Sequence, residues 1–306
     1  MLALAAVLTA CSTGERGEER EGGSSRPPRA NVDVRTGHID RPLDRYFLSP
    51  QDVLLIRKAE VTLINRCMRD LDYESNPMPI PQLEPDEANL SEFLVIPMAE
   101  AKETGYRAGA RKASTSETKW SRLSTRTQRG LVTGTLREYK GHAVPNGGCS
   151  ALANQALRKG TESRRTFNIG GASVTYDATA TPDGIFDSVM SAMRYSAAQE
   201  SSSDKRVTSV TEDWSSCMQS AGFQYASPRA AVNDSRWPKS NEPTKLEIST
   251  AVTDMKCKKE TYYLDTVVEV QSEYERKIIA DQSANIKSLQ RDLKVWLSNS
   301  KEALGA

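Results

Sequence analysis

From Thr244 to Leu304 the chain runs without a single proline or glycine. Those two residues punctuate turns and break regular structure, so a run this long without either reads as helix. Apolar spacing agrees. Val267, Val270, Tyr274 and Ile278 recur at three- and four-residue intervals, as do Ile286, Leu289, Leu293 and Trp296, and each set lines one helix face. The polar Asp281-Gln282-Ser283 interrupts the two stripes, which predicts one long bent helix or two helices in sequence. Thr244-x-x-Glu247 opens the run as a capping box.

Helical signals extend upstream. Ser49-Pro50-x-Asp52 combines an N-cap, a first-turn proline and a capping carboxylate. The helix it opens is expected to turn Val53, Ile56, Leu63, Cys67 and Leu71 inward. Thr181-Pro182 opens another, with Ile185, Val189 and Met193 on one face, and Val207, Val210, Trp214, Cys217 and Ala221 mark a third. Two segments share a pattern: Ile64-x-x-Cys67-Met68-x-x-Leu71-Asp72-Tyr73 and Trp214-x-x-Cys217-Met218-x-x-Ala221-Gly222-Phe223. Asp72 and Gly222 tolerate left-handed geometry, so both helices are expected to end alike, with the aromatic folded back on the last turn. One β signal is present. Residues 166–176 alternate strictly around Gly170-Gly171, a hairpin signature. Residues 76–85, rich in proline, and 113–127, rich in Ser and Thr, read as loops. The fold class expected is mainly α: a helical bundle with long C-terminal helices, loops and one short hairpin, braced by two disulfides.

The five cysteines are Cys11, Cys67, Cys149, Cys217 and Cys257. None forms Cys-x-x-Cys, so zinc knuckles and thioredoxin-like chemistry have no support. Setting Cys11 aside leaves four, with three connectivities open. The pairing expected is Cys67 with Cys149 and Cys217 with Cys257, in which each half of the chain closes on itself; four buried free thiols are the alternative.

Cys11 is set aside because of what precedes it. Residues 1–10 (MLALAAVLTA) are uncharged and nearly all apolar, and polar sequence follows at once. Leu8-Thr9-Ala10-Cys11 resembles the lipobox of bacterial lipoprotein signal peptides. The apolar run is short and has no Lys or Arg before the Cys, features that a translation start upstream of Met1 would account for. The resemblance implies cleavage before Cys11 and diacylation of its thiol, with enough acyl chain for stable anchoring. Residues 12–41 are Gly, Ser and Pro among mixed Glu and Arg, the composition of a flexible tether spanning roughly 30 Å. The domain reading is therefore a signal peptide at 1–10, a lipidated Cys and tether at 11–41, an N-terminal helical region with basic loops at 42–180 and a C-terminal helical region at 181–306.

Hydrophobic content of 38% excludes a mostly disordered chain, and 41 Lys+Arg against 40 Asp+Glu argues against a whole-chain nucleic-acid binder. Charge is nevertheless uneven. Between Glu100 and Arg165 there are fourteen Lys and Arg against five Asp and Glu. Arg107, Arg111, Lys112, Lys119, Arg122, Arg126 and Arg129 are expected to meet an anionic partner, with lipid heads or cell-wall polymers the natural choices at a membrane surface. A solvated basic loop region is the alternative.

Signals for catalysis are sparse. The two histidines, His38 and His142, are too few for a multi-histidine metal centre. His142 lies seven residues before Cys149, and their pairing as base and nucleophile would require a free thiol. Ser-x-x-Lys recurs at Ser116/Lys119, Ser202/Lys205 and Ser298/Lys301, without the Lys-Thr-Gly that accompanies it in penicillin-binding proteins. Tyr106, Trp120, Tyr139, Trp237, Tyr262 and Tyr263 could line a ligand pocket or belong to the core. No catalytic residue, metal or cofactor is assigned.

The lipobox, the polar tether, the Cys-Met helix ends and a Gly148-Cys149 helix start together resemble uncharacterised actinobacterial lipoproteins. That resemblance implies a lipid-anchored protein on the outer face of the bacterial cytoplasmic membrane and carries no activity with it. The function expected is non-catalytic binding of an anionic cell-wall polymer or an envelope protein, with no nucleic-acid partner. Two alternatives stand beside it: an adaptor that packs its C-terminal helices on an envelope or transporter complex, and a hydrolase.

Overall fold

The computed structural model describes residues 32–33, 38–83, 90–107, 116–177, 179–237 and 242–305. The apolar run, Cys11 and most of the tether lie outside these. Within them the chain is mainly α, as expected. Eleven helices follow in order: α1 (Pro50–Asp70), α2 (Met98–Thr104), α3 (Ser116–Leu123), α4 (Arg126–Thr133), α5 (Gly148–Leu157), α6 (Pro182–Ser201), α7 (Lys205–Ser220), α8 (Pro228–Val232), α9 (Lys245–Glu260), α10 (Tyr263–Asp281) and α11 (Ser283–Leu304). Three antiparallel strand pairs accompany them: β1 (Val32–Asp33) with β2 (His38–Ile39), β3 (Glu138–Tyr139) with β4 (His142–Ala143), and β5 (Arg165–Ile169) with β6 (Ala172–Tyr176). Among the described residues no helix is long and apolar enough to cross a membrane.

The capping residues act as their chemistry requires. Ser49 accepts from the Asp52 amide at 3.1 Å and donates to its carboxylate at 2.8 Å. Thr181 caps α6 through the Gly184 amide, and Thr244 caps α9 through that of Glu247. The two Cys-Met helices do end alike. Asp72 and Gly222 both have positive φ, and the amides of Tyr73 and Phe223 reach back 2.9 Å to the carbonyls of Met68 and Met218. The 166–176 hairpin is formed with Phe167 opposite Val174, turning at Gly170 and Gly171, whose φ values of 55° and 80° suit a primed turn.

Both disulfides are present, Cys67–Cys149 and Cys217–Cys257, with Cα atoms 5.6 and 5.7 Å apart. The first ties the end of α1 to the first turn of α5, and the second joins α7 to α9. The turn that delivers Cys149 depends on glycine. A Cβ on Gly134 would stand 2.3 Å from the Gly148 nitrogen, and one on Gly148 the same distance from the Val132 carbonyl, so these backbones touch only because neither carries a side chain.

The largest core cluster joins Leu43, Phe167, Phe186 and Met190 to Ile278, Leu289 and Trp296. It draws on both sides of the 180/181 boundary. Helix α11 lies along α1 and α5, while α10 lies along α6 and α7. The apolar stripes of the C-terminal helices are thus covered by the protein's own chain: Val267, Val270, Ile278, Ile286, Leu289 and Trp296 are all buried.

Three expectations are corrected. The C-terminal run divides once more than the stripes imply: the two stripes lie on α10 and α11, meeting at Gln282 as expected, and α9 precedes them as a separate helix. The break at Gln282 was visible, but a second occurs where Tyr262 adopts φ 55°; that residue type gives no sign of left-handed geometry. Residues 113–127 are not all loop, because α3 spans Ser116–Leu123 and Thr125 caps α4 by accepting from the Gln128 amide at 3.0 Å. Ser and Thr serve there as helix ends, a role composition does not separate from loop. Ile39 and Arg41, counted with the tether by composition, are buried; Ile39 packs with Phe93, Val210 and Val267.

Two outcomes follow. Replacing Cys67 and Cys149 together by Ala frees a loop of 82 residues and should lower stability by about 4 kcal/mol on the chain-entropy model, read as a lower urea midpoint. Asp204 caps α7, and its hydrogen bonds from the Arg206 side chain and amide hold its carboxyl at about 2 against an ordinary 3.8. A carboxyl depressed in the folded state contributes stability that is complete above the ordinary value and lost as pH falls towards the depressed one. Asp204→Asn should therefore flatten acid unfolding across that window, as followed by circular dichroism.

Candidate functional site

The basic segment does not form a uniform surface. Arg107 is engaged by the buried Glu247, Nε to Oε1 at 3.2 Å and Nη2 to Oε2 at 3.3 Å. Arg129 closes the α3–α4 junction by donating to the Ser124 carbonyl and, at 3.2 Å, to its hydroxyl. Arg122 and Arg126 are exposed. Arg111, Lys112 and the side chain of Lys119 lie outside the described residues. Arg158 and Arg165, part of the same charge excess, are also engaged inside the fold. The Arg158 guanidinium donates to the carbonyls of Asp177, Glu162 and Ser163, and burial lowers its pKa. Arg165 donates to the Ser288 hydroxyl at 2.7 Å.

The catalytic pair weighed for His142 and Cys149 is removed. Cys149 is fully buried and in a disulfide, while His142 is exposed with Nε2 3.2 Å from Asp72 Oδ2. Among the described residues no three His, Cys, Asp or Glu side chains converge as a metal site. Two further buried carboxylates, Asp254 and Glu275, have partners. Asp254 accepts from Trp214 Nε1 at 2.9 Å and from Lys258 Nζ at 3.0 Å, with burial raising the Asp254 pKa and lowering that of Lys258. Glu275 accepts from the Leu43 amide at 3.1 Å beside Arg41 and Arg194. These are interior supports with no free face.

One concave feature among the described residues is a groove of about 630 Å³ along α1, within the range that holds small ligands. Pro50, Val53, Leu54, Arg57, Val61 and Ile64 line it from α1, and their three- and four-residue spacing is one helix face. The opposite wall is the extended segment from Met78 to Leu83. Asn65 pins that wall. Its Oδ1 accepts from the Met78 amide and its Nδ2 donates to the Met78 carbonyl, each at 2.9 Å. Pro77, Pro79 and Pro81 hold φ near extended values and offer no amide of their own. Asn76, at φ 51°, turns the chain so that its carbonyl accepts from Trp120 Nε1 at 3.0 Å and from Gln128 Nε2 at 2.5 Å.

Trp120, Val132 and Ser150 complete the groove, and Thr181 and Asp183 close one end at the start of α6. There Arg57 Nε meets Asp183 Oδ2 at 2.8 Å across the gap between α1 and α6. Asp183 is buried, and its Oδ1 has no hydrogen-bond partner.

Of the six aromatics weighed as pocket residues, Trp120 lines the groove. Tyr106 and Trp237 stack on each other with centroids 6.0 Å apart, Tyr139 meets Tyr73 at 5.9 Å, Tyr263 is half-buried and Tyr262 is exposed. The groove as a whole was not read from the sequence. Its local signal is the apolar spacing of Val53, Leu54, Val61 and Ile64 along α1.

Compared with protein-family models, with curated proteins and with solved structures, the chain matches none.

Because Asn65 holds both the amide and the carbonyl of Met78, Asn65→Ala should expose the Met78 amide to hydrogen exchange. Loss of two hydrogen bonds should lower stability by about 1–3 kcal/mol, with α1 itself still protected.

Proposed function

We propose that this is a lipid-anchored extracytoplasmic protein with a non-catalytic binding role, attached to the outer face of a bacterial cytoplasmic membrane through acyl chains on Cys11. The observation that carries the reading is the cysteine arrangement. Cys67, Cys149, Cys217 and Cys257 close two disulfides, and Cys11, at the end of the Leu8-Thr9-Ala10-Cys11 tetrad, is the one left over. Disulfides persist in oxidising compartments, and the tetrad resembles the signal that directs a chain there for acylation. The groove supports a binding role, and the engagement of Cys149 disfavours a thiol hydrolase. Arg122 and Arg126, exposed on α3 and α4, are free of the interior engagements of Arg107 and Arg129 and stand as the contact for an anionic envelope partner.

The test is the intact mass of the protein from its host's membrane fraction, alkylated before and after reduction. The expected species begins at Cys11, carries acyl mass and takes up alkyl groups at four cysteines only after reduction. An unprocessed chain with five reactive thiols would overturn the reading. For the basic contact, co-sedimentation with an anionic cell-wall polymer should weaken as salt rises and the Debye length shortens, and weaken further in the Arg122→Gln/Arg126→Gln variant. Sedimentation indifferent to both would remove that surface.

A further inference from the structure

We infer that the outer face of α11 is a contact surface for an anionic lipid bilayer, with Lys287, Arg291, Lys294 and Lys301 lying against the headgroups. The inference deepens the membrane location proposed above and rests on it for which membrane the protein meets. The contact itself is tested below without the acyl anchor.

Periodicity sets the face. Ile286, Leu289 and Trp296 turn inward, and the opposite side of α11 carries the four cations, all exposed. Lys287, Lys294 and Lys301 follow at seven-residue intervals, with Arg291 between the first two, so the four share one stripe. At 1.5 Å per residue the row is about 21 Å long, with its lysines about 10 Å apart. That spacing matches the Debye length of about 10 Å at about 0.1 M salt, so neighbouring charges still add at a surface.

Helix stability alone would not select this pattern. No Asp or Glu stands three or four residues from any of the four cations, the positions from which an acid would pair on the helix surface. Instead Arg291 lies four residues after Lys287 and three before Lys294, which sets like charges side by side. The first turn of α11 holds no acid, and Lys287 follows it directly, towards the positive end of the helix dipole. None of the four has an ion-pair partner among the described residues, whereas Arg276 and Lys277 on α10 meet Glu269 and Glu200, each at 3.7 Å. Asp292 is turned to Arg165 at 3.5 Å and feels Arg291 only through space. Glu302 is exposed but adjoins Lys301 in sequence, and adjacent helical residues do not face each other. The counter-charge for this stripe therefore lies outside the fold.

Shape favours a bilayer. A convex helix touches a plane along one line, so a single row of cations reaches a planar anionic layer all at once. Gln290 and Ser298 share the stripe, and no aromatic or large apolar side chain stands in it to stack on bases or enter the acyl core, which makes the contact peripheral and electrostatic. Lys159 and Arg164 are exposed on the loop beside α11 and widen the basic surface, with Glu162 as the acid between them. That loop is bound to α11 by Asn299 Nδ2, which donates to the Lys159 carbonyl at 3.0 Å, and by Trp296 Nε1, which donates to Thr161 Oγ1 at 2.9 Å. An acylated Cys11 would keep the body within the roughly 30 Å span of its tether, where even a weak second contact is well occupied.

The experiment co-sediments the full chain carrying Cys11→Ser with vesicles of phosphatidylcholine, alone or with phosphatidylglycerol at about one lipid in three. Binding to the anionic vesicles is expected to exceed that to the neutral ones by about tenfold or more and to vanish at about 1 M salt, where the Debye length is about 3 Å. Each single Lys→Gln in the stripe should lower it about fivefold. Lys287→Gln/Arg291→Gln/Lys294→Gln/Lys301→Gln should reduce it to the neutral level with the melting temperature kept or raised. Lys287→Arg/Lys294→Arg/Lys301→Arg should retain it. The control Lys205→Gln/Lys245→Gln/Lys256→Gln/Lys259→Gln removes the same charge from exposed sites on α7 and α9 and should leave binding within about twofold. No preference for anionic vesicles, or an equal loss in the control, would overturn the surface. So would loss in Arg122→Gln/Arg126→Gln with the stripe variant unaffected. Binding to soluble poly(glycerol phosphate) but not to vesicles would overturn the bilayer as partner. Acylation is read separately by mass, so an unprocessed chain that binds anionic vesicles through the stripe would remove the anchor and keep the contact.

Discussion

The bond between Cys67 and Cys149 is the constraint from which the N-terminal half is arranged. It clamps the last turns of α1 to the first turn of α5, and that turn is where it is because the backbones at Gly134 and Gly148 meet closer than any side chain would allow. With one end fixed, the faces of α1 have distinct duties. One lies on α5 and α11, where Ile56, Ala59 and Leu157 are fully buried. The other is left facing the pinned Met78–Leu83 segment and the start of α6, and the space between them is the groove. In the other half Cys217–Cys257 joins α7 to α9 beside Trp214 and Met218, both without exposure.

Several charged residues are interior, and each is held by a specific partner. Lys258 lies one helical turn from Asp254 and also donates to the Leu94 carbonyl. Arg41 meets Glu92 at 2.6 Å and lies over the Phe93 ring at 5.2 Å. Glu247 takes both ends of Arg107. Buried charge without such partners is strongly unfavourable, and removing one member leaves the other stranded. Lys258 and Asp254 pair within α9, whereas Arg41–Glu92 and Arg107–Glu247 join segments far apart in sequence. Such engagements explain why the basic segment is less of a surface than its composition suggests, since Arg107, Arg158 and Arg165 are directed inward or across to neighbouring elements.

Local chemistry was legible where neighbours in sequence decide the outcome. Ser49-Pro50, Thr181-Pro182 and Thr244 announce helix starts because the cap bonds its own first turn, and Gly170-Gly171 announces a hairpin because only such residues take both positive φ values with ease. The Cys-Met helix ends were readable for the same reason. Where a residue's role depends on distant chain, the pattern misled or was silent. Residues 116–123 form a helix that positions Trp120 against the Asn76 carbonyl, 44 positions away, and Tyr262 breaks the C-terminal run with no local mark of doing so.

By itself the sequence determined a helical chain, the starts of α1, α6 and α9, the ends of α1 and α7 and one hairpin, because short-range hydrogen bonding and 3.6-residue periodicity act within a few neighbours; the cysteine pairing was one of three it left open. Only the tertiary structure decided which cations are buried, that the C-terminal stripes are covered by α1, α5, α6 and α7, and that one face of α1 is left open beside a proline-rich wall. The reason is physical: desolvation of a charge and the shape of a cavity are properties of several packed elements at once, and no single element carries either.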